Sequence, residues 1–130
     1  MGMSVGIDLV SIDAVEDSIR VHSERYLGRV YTTAELDDCR LTDGRYDARG
    51  LAGRAAAKEA VLKVLRAADE AIPWLAIAVR RDGRGRPSVE LTGTAQELAR
   101  ERGIASLELS ITQAGAFAAA VVVAEVRGER

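Results

Sequence analysis

Two carboxylates and a lysine are the side chains of this 130-residue sequence that are best suited to chemistry. Asp8 interrupts an apolar, β-branched stretch, Ser4–Val10, while Glu59 and Lys63 lie four residues apart within Leu51–Leu65. Two carboxylates suit a hard cation such as Mg²⁺, which usually takes one or two carboxylates together with substrate phosphates. Basic side chains suit the same phosphates. The pattern therefore predicts metal-assisted chemistry on a phosphate.

The same residues also have ordinary structural explanations. Glu59 and Lys63 form an i,i+4 pair in the favoured order, which stabilises an exposed helix by about 0.2–0.5 kcal/mol. Asp8 could cap the helix that follows its strand. If Asp8 is buried instead, it needs a cation or strong hydrogen-bond donors beside it, because burying an unpaired carboxylate is costly.

The stretch Leu51–Leu65 is predicted to form a long helix, because its Ala, Leu, Lys, Arg and Glu residues are strong helix formers. At about 100° per residue its apolar positions divide into two opposed faces. The larger face comprises Ala56, Ala57, Ala60, Val61 and Val64, and the smaller comprises Leu51, Ala55 and Leu62. The charged residues between the faces are Arg54, Lys58, Glu59 and Lys63. We expect this helix to pack between its own sheet and a second body such as another subunit, with its charges at the rim of a cleft.

The rest of the sequence indicates a single α+β domain, residues 1–130, in which an antiparallel sheet packs against the long central helix. Strands are predicted at Ser4–Val10, where the strand is buried on both faces, and at Trp74–Arg80, Ser88–Leu91, Leu107–Thr112 and Phe117–Val126. Helices are predicted at Ile12–Ser23, from the capping box Thr32–Glu35 to Cys39, and at Ala95–Arg102. Irregular connections are predicted at Glu24–Tyr31 and Leu41–Arg49, a polar break after Leu65, and a glycine-rich turn at Asp82–Pro87.

Composition excludes several classes of function. The net charge of −2 and the pI near 5.5 give no overall footprint for nucleic acid. No apolar run approaches the roughly 20 residues of a membrane span, and the first residues lack the basic and apolar regions of a signal peptide. The single cysteine, Cys39, rules out an internal disulfide and fits a reducing cytosol. We therefore expect a cytoplasmic protein that binds neither nucleic acid nor membrane.

Five stretches resemble the holo-[acyl-carrier-protein] synthases, which are small 4′-phosphopantetheinyl transferases. They are GIDLVSI (Gly6–Ile12), RVYTTAEL (Arg29–Leu36), LAGRAAAKEAVLK (Leu51–Lys63), DGRGRP (Asp82–Pro87) and SITQAGAFAAAVVVAE (Ser110–Glu125). The stretches occur in the order and at the spacing typical of the family and cover nearly the whole chain. Leu51–Lys63 is the most specific of them.

The resemblance implies a fold of the 4′-phosphopantetheinyl transferase type and the transfer of phosphopantetheine from coenzyme A to a serine of an acyl carrier protein, with release of 3′,5′-ADP. It implies that Asp8 and Glu59 hold Mg²⁺ at the coenzyme A pyrophosphate. Lys63 would neutralise charge on the transferred phosphoryl group, and Glu59 would accept the serine proton directly or through water. The implied nucleotide-binding residues are Arg54, Lys58, Gly85, Arg86, Pro87, Ser110 and Gln113. Members of this size form homotrimers with active sites between subunits.

Three positions depart from the pattern of the family. Gln113 replaces the histidine of an S-[IL]-[ST]-H motif and exchanges a chargeable donor for a neutral amide. Arg66–Asp69 replaces a Gly-Thr-Gly-like turn, so the backbone can approach coenzyme A less closely. The first helix begins with Asp13, Glu16 and Asp17 where family members carry basic residues that dock an acidic carrier, and like charges would repel such a partner.

Three hypotheses for function follow. The first is an active transferase with weaker coenzyme A binding or an unusual carrier protein. The second is a protein of the same fold with different chemistry on carrier-bound or coenzyme A substrates, and the third is a non-catalytic carrier-binding subunit. Retention of Asp8, Glu59 and Lys63 argues against the third, because charged groups without a role are costly to bury.

Overall fold

The described part of the chain contains four helices and five strands. The computed structural model describes residues 2–67 and 70–127. The elements are β1 (Gly2–Ser11), α1 (Ile12–Val30), α2 (Thr33–Asp38), α3 (Ala48–Leu65), β2 (Ile77–Arg81), β3 (Pro87–Leu91), α4 (Gly93–Glu101), β4 (Ile104–Ala114) and β5 (Phe117–Val126). A single 3₁₀ turn, Trp74–Ala76, precedes β2. The predicted α+β class is confirmed.

The strands form two antiparallel sheets. The main sheet has the order β1-β5-β4, and β2 and β3 form a separate hairpin. In the main sheet Asp8 lies opposite Ala120, which in turn lies opposite Ile111. Helix α3 packs across all three strands of this sheet. Asp8 is therefore placed beside α3 by the register of β1.

Small residues allow α3 to lie close to the main sheet. Ala56, Ala57 and Ala60 on the helix are buried, as are Ala118 and Ala120 on β5. The larger predicted face of the helix, which continues to Val61 and Val64, is thus confirmed as the face turned to the core.

The closest approach between β1 and α3 occurs at Gly6. A Cβ atom at Gly6 would lie 2.2 Å from the carbonyl oxygen of Ala60, a distance that a real Cβ cannot adopt. At Gly53 a Cβ would lie 2.8 Å from Cγ2 of Ile111 on β4. Both glycines are therefore required by close contact between α3 and the sheet.

The first helix is longer than predicted. Glu24–Tyr31, which we expected to be irregular, is helical as far as Val30, and the only non-helical residue inside α1 is Ser23 (φ 47°, ψ −123°). The helix continues because Leu27 is buried in the core beyond this interruption. Its N-cap is Ser11, whose Oγ accepts the amide of Ala14 at 3.1 Å. The alternative role of Asp8 as the cap of this helix is therefore wrong.

Other boundaries also differ from the prediction. Trp74–Ala76 forms a 3₁₀ turn instead of the start of a strand. The central helix begins at Ala48, three residues before the predicted start. The capping box of Thr32 and Glu35 is confirmed. The predicted break after Leu65 includes Ala68 and Asp69, which lie outside the described residues.

One face of the main sheet is apolar and uncovered, contrary to the prediction that β1 is buried on both faces. The four side chains of β1 that point outward on this face are 62–73% exposed, and Phe117 on β5 is also exposed. The four are Met3, Val5, Ile7 and Leu9. They alternate with residues that face α3, which is the pattern of a sheet with one covered face.

The smaller apolar face of α3 is also covered, so packing on two sides is confirmed, but the second body is α1 and α4 of the same chain and not another subunit. Leu51 has no exposed surface and packs in the cluster that contains α1, and Ala55 packs against the same cluster. Leu62 packs in the cluster that contains α4. In residues 2–67 and 70–127, no helix is long and apolar enough to span a membrane.

Gly6→Ala tests the contact between β1 and α3. The added methyl group must displace the Ala60 carbonyl, so we expect the free energy of unfolding to fall by about 1–3 kcal/mol, the usual cost of overpacking. Gly28→Ala is the control, because Gly28 lies in a helix with open space around its α-carbon; it should leave stability unchanged or raise it by up to about 1 kcal/mol. Urea denaturation measures both, and equal midpoints for Gly6→Ala and the wild type would contradict the assignment.

Candidate active site

Asp8 and Lys63 meet where β1 crosses the C-terminal half of α3. Nζ of Lys63 lies 3.0 Å from Oδ1 of Asp8 and donates to the carbonyl oxygen of Ile7 at 2.8 Å. The Asp8 side chain is 21% exposed and that of Lys63 is 55% exposed. The carboxylate in the middle of β1 therefore has the cation that its partial burial requires.

Glu59 lies one helical turn before Lys63 on α3. Its partial burial raises the pKa of its carboxyl group, the Asp8 carboxylate raises it further, and Lys63 opposes both effects. Two carboxylates that disfavour each other's charge form a place where a cation is stabilised. Asp8, Glu59 and Lys63, which the sequence predicted to act together, are thus brought together.

The donor set of this site fits Mg²⁺. No group of three or more His, Cys, Asp or Glu residues suited to a metal occurs in the described part of the chain. Two neighbouring carboxylates supply only part of a coordination shell. Mg²⁺ commonly takes its remaining ligands from water and substrate phosphates, so a carboxylate pair of this kind suits that ion.

Two cavities open on the sides of this cluster. One, of about 460 Å³, is lined by Asp8, Lys63 and three residues on the outer side of the main sheet, namely Ile7, Leu9 and Ala119. The other, of about 260 Å³, lies between α1, α3 and the 3₁₀ turn. Glu59 is on its wall, and the other lining residues are Val10, Ala14, Val15, Ser18, Tyr26, Val30, Ala55 and Trp74. The first cavity suits a charged group, and the second suits an apolar one.

Arg54 is buried and incompletely bonded. Its side chain is 5% exposed, donates to the carbonyl oxygen of Gly50 at 3.2 Å and lies 3.7 Å from Asp38. Nε of Arg80 lies 3.8 Å from the same carboxylate. The Nε atoms of Arg54 and Arg80 are both buried without a hydrogen-bond partner among the described residues. They are donors that an anion could use.

Lys58 is not at the rim of a cleft, contrary to the prediction from the helical pattern. It has no exposed surface, and its Nζ donates to Glu35 Oε1 at 2.9 Å and to the carbonyl oxygens of Trp74 and Ile77 at 3.1 and 2.6 Å. These three acceptors use all three N–H bonds of the ammonium group. Burial lowers the pKa of Lys58, and the Glu35 carboxylate opposes this shift. Lys58 therefore has no free donor for a phosphate.

The glycine-rich turn between β2 and β3 is stabilised by hydrogen bonds from its own backbone amides to the Asp82 side chain. Oδ1 of Asp82 accepts the amides of Arg84 and Arg86 at 2.8 and 3.0 Å, and these bonds lower the pKa of Asp82. Gly85 has a φ of 81°, in the left-handed region that favours glycine. The predicted nucleotide-binding residues Gly85, Arg86 and Pro87 therefore form one ordered turn.

Ser110 and Gln113 lie on opposite faces of β4. Ser110 is exposed and lies in register with Val121 and Ile7 of the uncovered face. Gln113 is half-buried, and its Nε2 donates to the carbonyl oxygen of Arg49 at 3.4 Å. A single chain therefore does not place these two predicted ligands side by side.

Sequence reasoning missed several residues of this region. Tyr26 and Trp74 line the apolar cavity, and Glu35 is buried against Lys58. The spacing of Lys58 contained a usable signal, because it lies seven residues from both Leu51 and Leu65 and so shares their buried helical face. No comparable pattern indicated the cavity, because its walls come from separate segments.

The end of α3 lacks glycine in its sequence but keeps the backbone conformation that glycine usually supplies at a helix end. Arg66 caps the helix in the left-handed conformation (φ 55°, ψ 48°). This conformation is usually taken by glycine at helix ends. The remainder of the altered turn, Ala68 and Asp69, lies outside the described residues.

The chain is similar to known proteins over most of its length. Residues 4–122 match the ACPS model of the 4′-phosphopantetheinyl transferase superfamily. A Moorella thermoacetica holo-[acyl-carrier-protein] synthase is 42% identical over 123 residues, which cover 95% of this chain and 94% of that protein. A Halothermothrix orenii holo-[acyl-carrier-protein] synthase is 39% identical over 121 residues, covering 93% and 95%.

A solved structure shows the same fold. Helicobacter pylori holo-[acyl-carrier-protein] synthase in complex with coenzyme A superposes with a TM-score of 0.81 at 28% identity, covering 94% of this chain and 100% of that one. Fold, family match and sequence identity agree over almost the full length. The chain therefore belongs to the 4′-phosphopantetheinyl transferase superfamily, as an enzyme of the holo-[acyl-carrier-protein] synthase type.

Proposed function

We propose that the chain transfers 4′-phosphopantetheine from coenzyme A to a serine of an acyl carrier protein at Asp8, Glu59 and Lys63. The observation that carries this proposal is the meeting of Asp8 with Lys63, at 3.0 Å, beside Glu59 in a member of this superfamily. The names of its relatives and the coenzyme A complex of one of them support the same reaction.

The chemical step would exchange one phosphorus–oxygen bond for another. The serine Oγ forms a bond to the phosphorus that carries pantetheine, and the bond from that phosphorus to the 3′,5′-ADP oxygen breaks. The serine proton passes to Glu59 directly or through water, and Lys63 stabilises the charge that develops on the phosphoryl group and the leaving group.

We further propose that this transfer depends on Mg²⁺ held by Asp8 and Glu59. When bound, the ion would neutralise charge on the pyrophosphate of coenzyme A. The pair of carboxylates supports this role because it leaves room for phosphate ligands. Lys63 would keep Asp8 oriented through the ion pair at 3.0 Å and would offer its own charge to the phosphate.

The nucleotide of coenzyme A would be bound by Arg54, the turn Gly85–Pro87, Ser110 and Gln113. The unpartnered Nε of Arg54 supports its part in this set, because an anion would satisfy a buried donor. Lys58 is left out, since its donors are used within the core.

The direct test of the reaction uses apo acyl carrier proteins incubated with coenzyme A, Mg²⁺ and the protein, followed by mass spectrometry. The expected product is a carrier protein that has gained one phosphopantetheine group. Binding of coenzyme A without any such product, across several carriers, would favour the second hypothesis, different chemistry on the same fold. The acidic start of α1, with Asp13 and Glu16 exposed, makes the choice of carriers important.

We propose a homotrimer in which the uncovered face of the main sheet is the interface. Exposed Met3, Val5 and Leu9 form a continuous apolar surface on β1, of the kind that marks protein–protein contacts. Ile7 and Leu9 of this surface also line the cavity beside Asp8. A neighbouring copy on this face would therefore border the active site.

We also propose a cytoplasmic location. The single cysteine, Cys39, is a buried free thiol, and burial raises its pKa to about 11. An unreactive, unpaired thiol suits a reducing compartment.

Asp8→Asn tests the metal site, because it removes a charge while keeping the shape of the side chain. We expect turnover to fall by about 100-fold or more, since charge stabilisation of the transition state is lost, and the dependence of coenzyme A affinity on Mg²⁺ to disappear in calorimetry. Glu97→Gln, on a helix that contributes no residue to the site, is the control. Full activity of Asp8→Asn would show that the metal assignment is wrong.

Gln113→His tests the nucleotide end. A contact far from the transferred phosphorus contributes uniform binding, which affects KM and spares kcat. Exchanging a neutral for a chargeable donor changes binding on the order of 1 kcal/mol, so coenzyme A should bind several-fold tighter with turnover nearly unchanged. Calorimetry with Mg²⁺ present measures the affinity. If neither form binds coenzyme A at millimolar concentration, the transferase proposal fails.

Val5→Glu tests the interface. A charge on the apolar surface should reduce the trimer to smaller species, because an unpaired carboxylate is costly to bury. Val21→Glu is a matched control, since Val21 is 60% exposed and Val5 62% exposed, but Val21 lies on α1. Sedimentation at micromolar concentration distinguishes them. A wild type that sediments as a monomer would contradict the trimer.

A further inference from the structure

The carboxylate of Glu35 is fully buried and fully bonded. Its Oε1 accepts the amide of Thr32 at 2.8 Å and the ammonium group of Lys58 at 2.9 Å, and its Oε2 accepts the amide of Val79 at 2.6 Å. Neither Glu35 nor Lys58 has exposed surface. Together with the two carbonyl oxygens bonded by Lys58, the pair joins α2, α3, the 3₁₀ turn and β2.

Stability alone is a weak reason for such a pair. A buried ion pair must recover the cost of removing both charges from water, and apolar replacements of similar size are often neutral or stabilising. The pair also fixes the relative positions of segments, because it bonds backbone groups at the start of α2, in the 3₁₀ turn and in β2 at fixed distances. Its position in the fold therefore indicates its role.

The hairpin needs such an anchor. Strands β2 and β3 pair with each other and, in the described residues, share no hydrogen-bonded ladder with the main sheet. The Lys58 bond to the carbonyl of Ile77 and the Glu35 bond to the amide of Val79 attach β2 directly to α2 and α3. Three residues beyond Val79 the chain enters the turn that carries Gly85.

The same pair also attaches the wall of the apolar cavity. Lys58 donates to the carbonyl oxygen of Trp74, whose side chain lines that cavity together with Glu59. Lys58 directly precedes Glu59 on α3. One ammonium group thus sets the position of Trp74 relative to the helix that carries Glu59.

We propose that Glu35 and Lys58 are positioning residues, which fix the β2–β3 hairpin and Trp74 relative to Glu59 without touching substrate. The consequence for coenzyme A rests on the proposed function, which assigns the turn Gly85–Pro87 to its nucleotide. Loss of the pair then weakens coenzyme A binding and spares the chemistry at Asp8 and Lys63.

The test is the double variant Glu35→Gln/Lys58→Met, which removes both charges and keeps both side chains near their original length. We expect KM for coenzyme A to rise about tenfold with kcat within about twofold, the signature of lost uniform binding. Ile12→Ala is the control, because Ile12 is buried on α1 in a cluster that contains no residue of the 3₁₀ turn or the hairpin, so its truncation lowers stability away from the anchor. Its KM should stay at the wild-type value.

Trp74 provides a second readout that does not depend on activity. It is the only tryptophan in the sequence, so its emission reports the 3₁₀ turn alone. The double variant should shift the emission maximum of the ligand-free protein, and Ile12→Ala should not. If the double variant fails to fold, Glu35→Asp keeps both charges and both Lys58 bonds to carbonyl oxygens but shortens the carboxylate side chain that reaches Val79, and it should show the same two effects at smaller size.

The outcomes separate the two proposals. An active wild type with equal KM and equal emission in the pair variants and Ile12→Ala would overturn the positioning role alone. A wild type that neither binds coenzyme A nor modifies any carrier would overturn the proposed function, and the Trp74 emission would still decide whether the pair positions this turn.

Discussion

The architecture depends on how closely β1 can lie against α3. The absence of a side chain at Gly6 lets the strand rest on the carbonyl group of Ala60. One helical turn further along α3 is Lys63, and two residues further along β1 is Asp8, and these two side chains meet at 3.0 Å. A wider spacing between strand and helix would separate Asp8 from Lys63 and Glu59. The packing of small residues in the core and the arrangement of charges at its edge therefore both depend on the close contact between β1 and α3.

Three charged residues of α3, namely Lys63, Glu59 and Lys58, lie in different environments. Lys63 is half-exposed beside a cavity, Glu59 is partly buried, and Lys58 has no exposed surface. Only the first two face space that a substrate could occupy. The third faces backbone oxygens. Adjacent positions on a helix point about 100° apart, so neighbours in sequence serve the site and the core respectively.

The sequence predicted most of this arrangement, and the errors have physical causes. Periodicity identified α3 and its larger buried face, and the position of Asp8 inside an apolar strand indicated a charge partner. The prediction failed for Lys58, because it assigns a charged residue to the solvent side, although the seven-residue spacing between Leu51 and Lys58 puts both on the same buried face. It also failed for β1, since an apolar run does not indicate whether the outer face of the strand is covered within its own chain. Contacts between distant segments, such as Glu35 with Val79, leave no local pattern.

The separate hairpin has a consequence for how such a chain can diverge. Asp8 and Lys63 belong to the main sheet and the helix on it, whereas the turn at Gly85 belongs to β2 and β3, which share no ladder with that sheet in the described part of the chain. Insertions or substitutions at the exposed tip of the hairpin leave the register of β1, β5 and β4 unchanged. Any contact of this tip with a ligand can therefore change while Asp8 and Lys63 stay in place. The fold thus separates the part that can acquire new specificity from the part that cannot tolerate change.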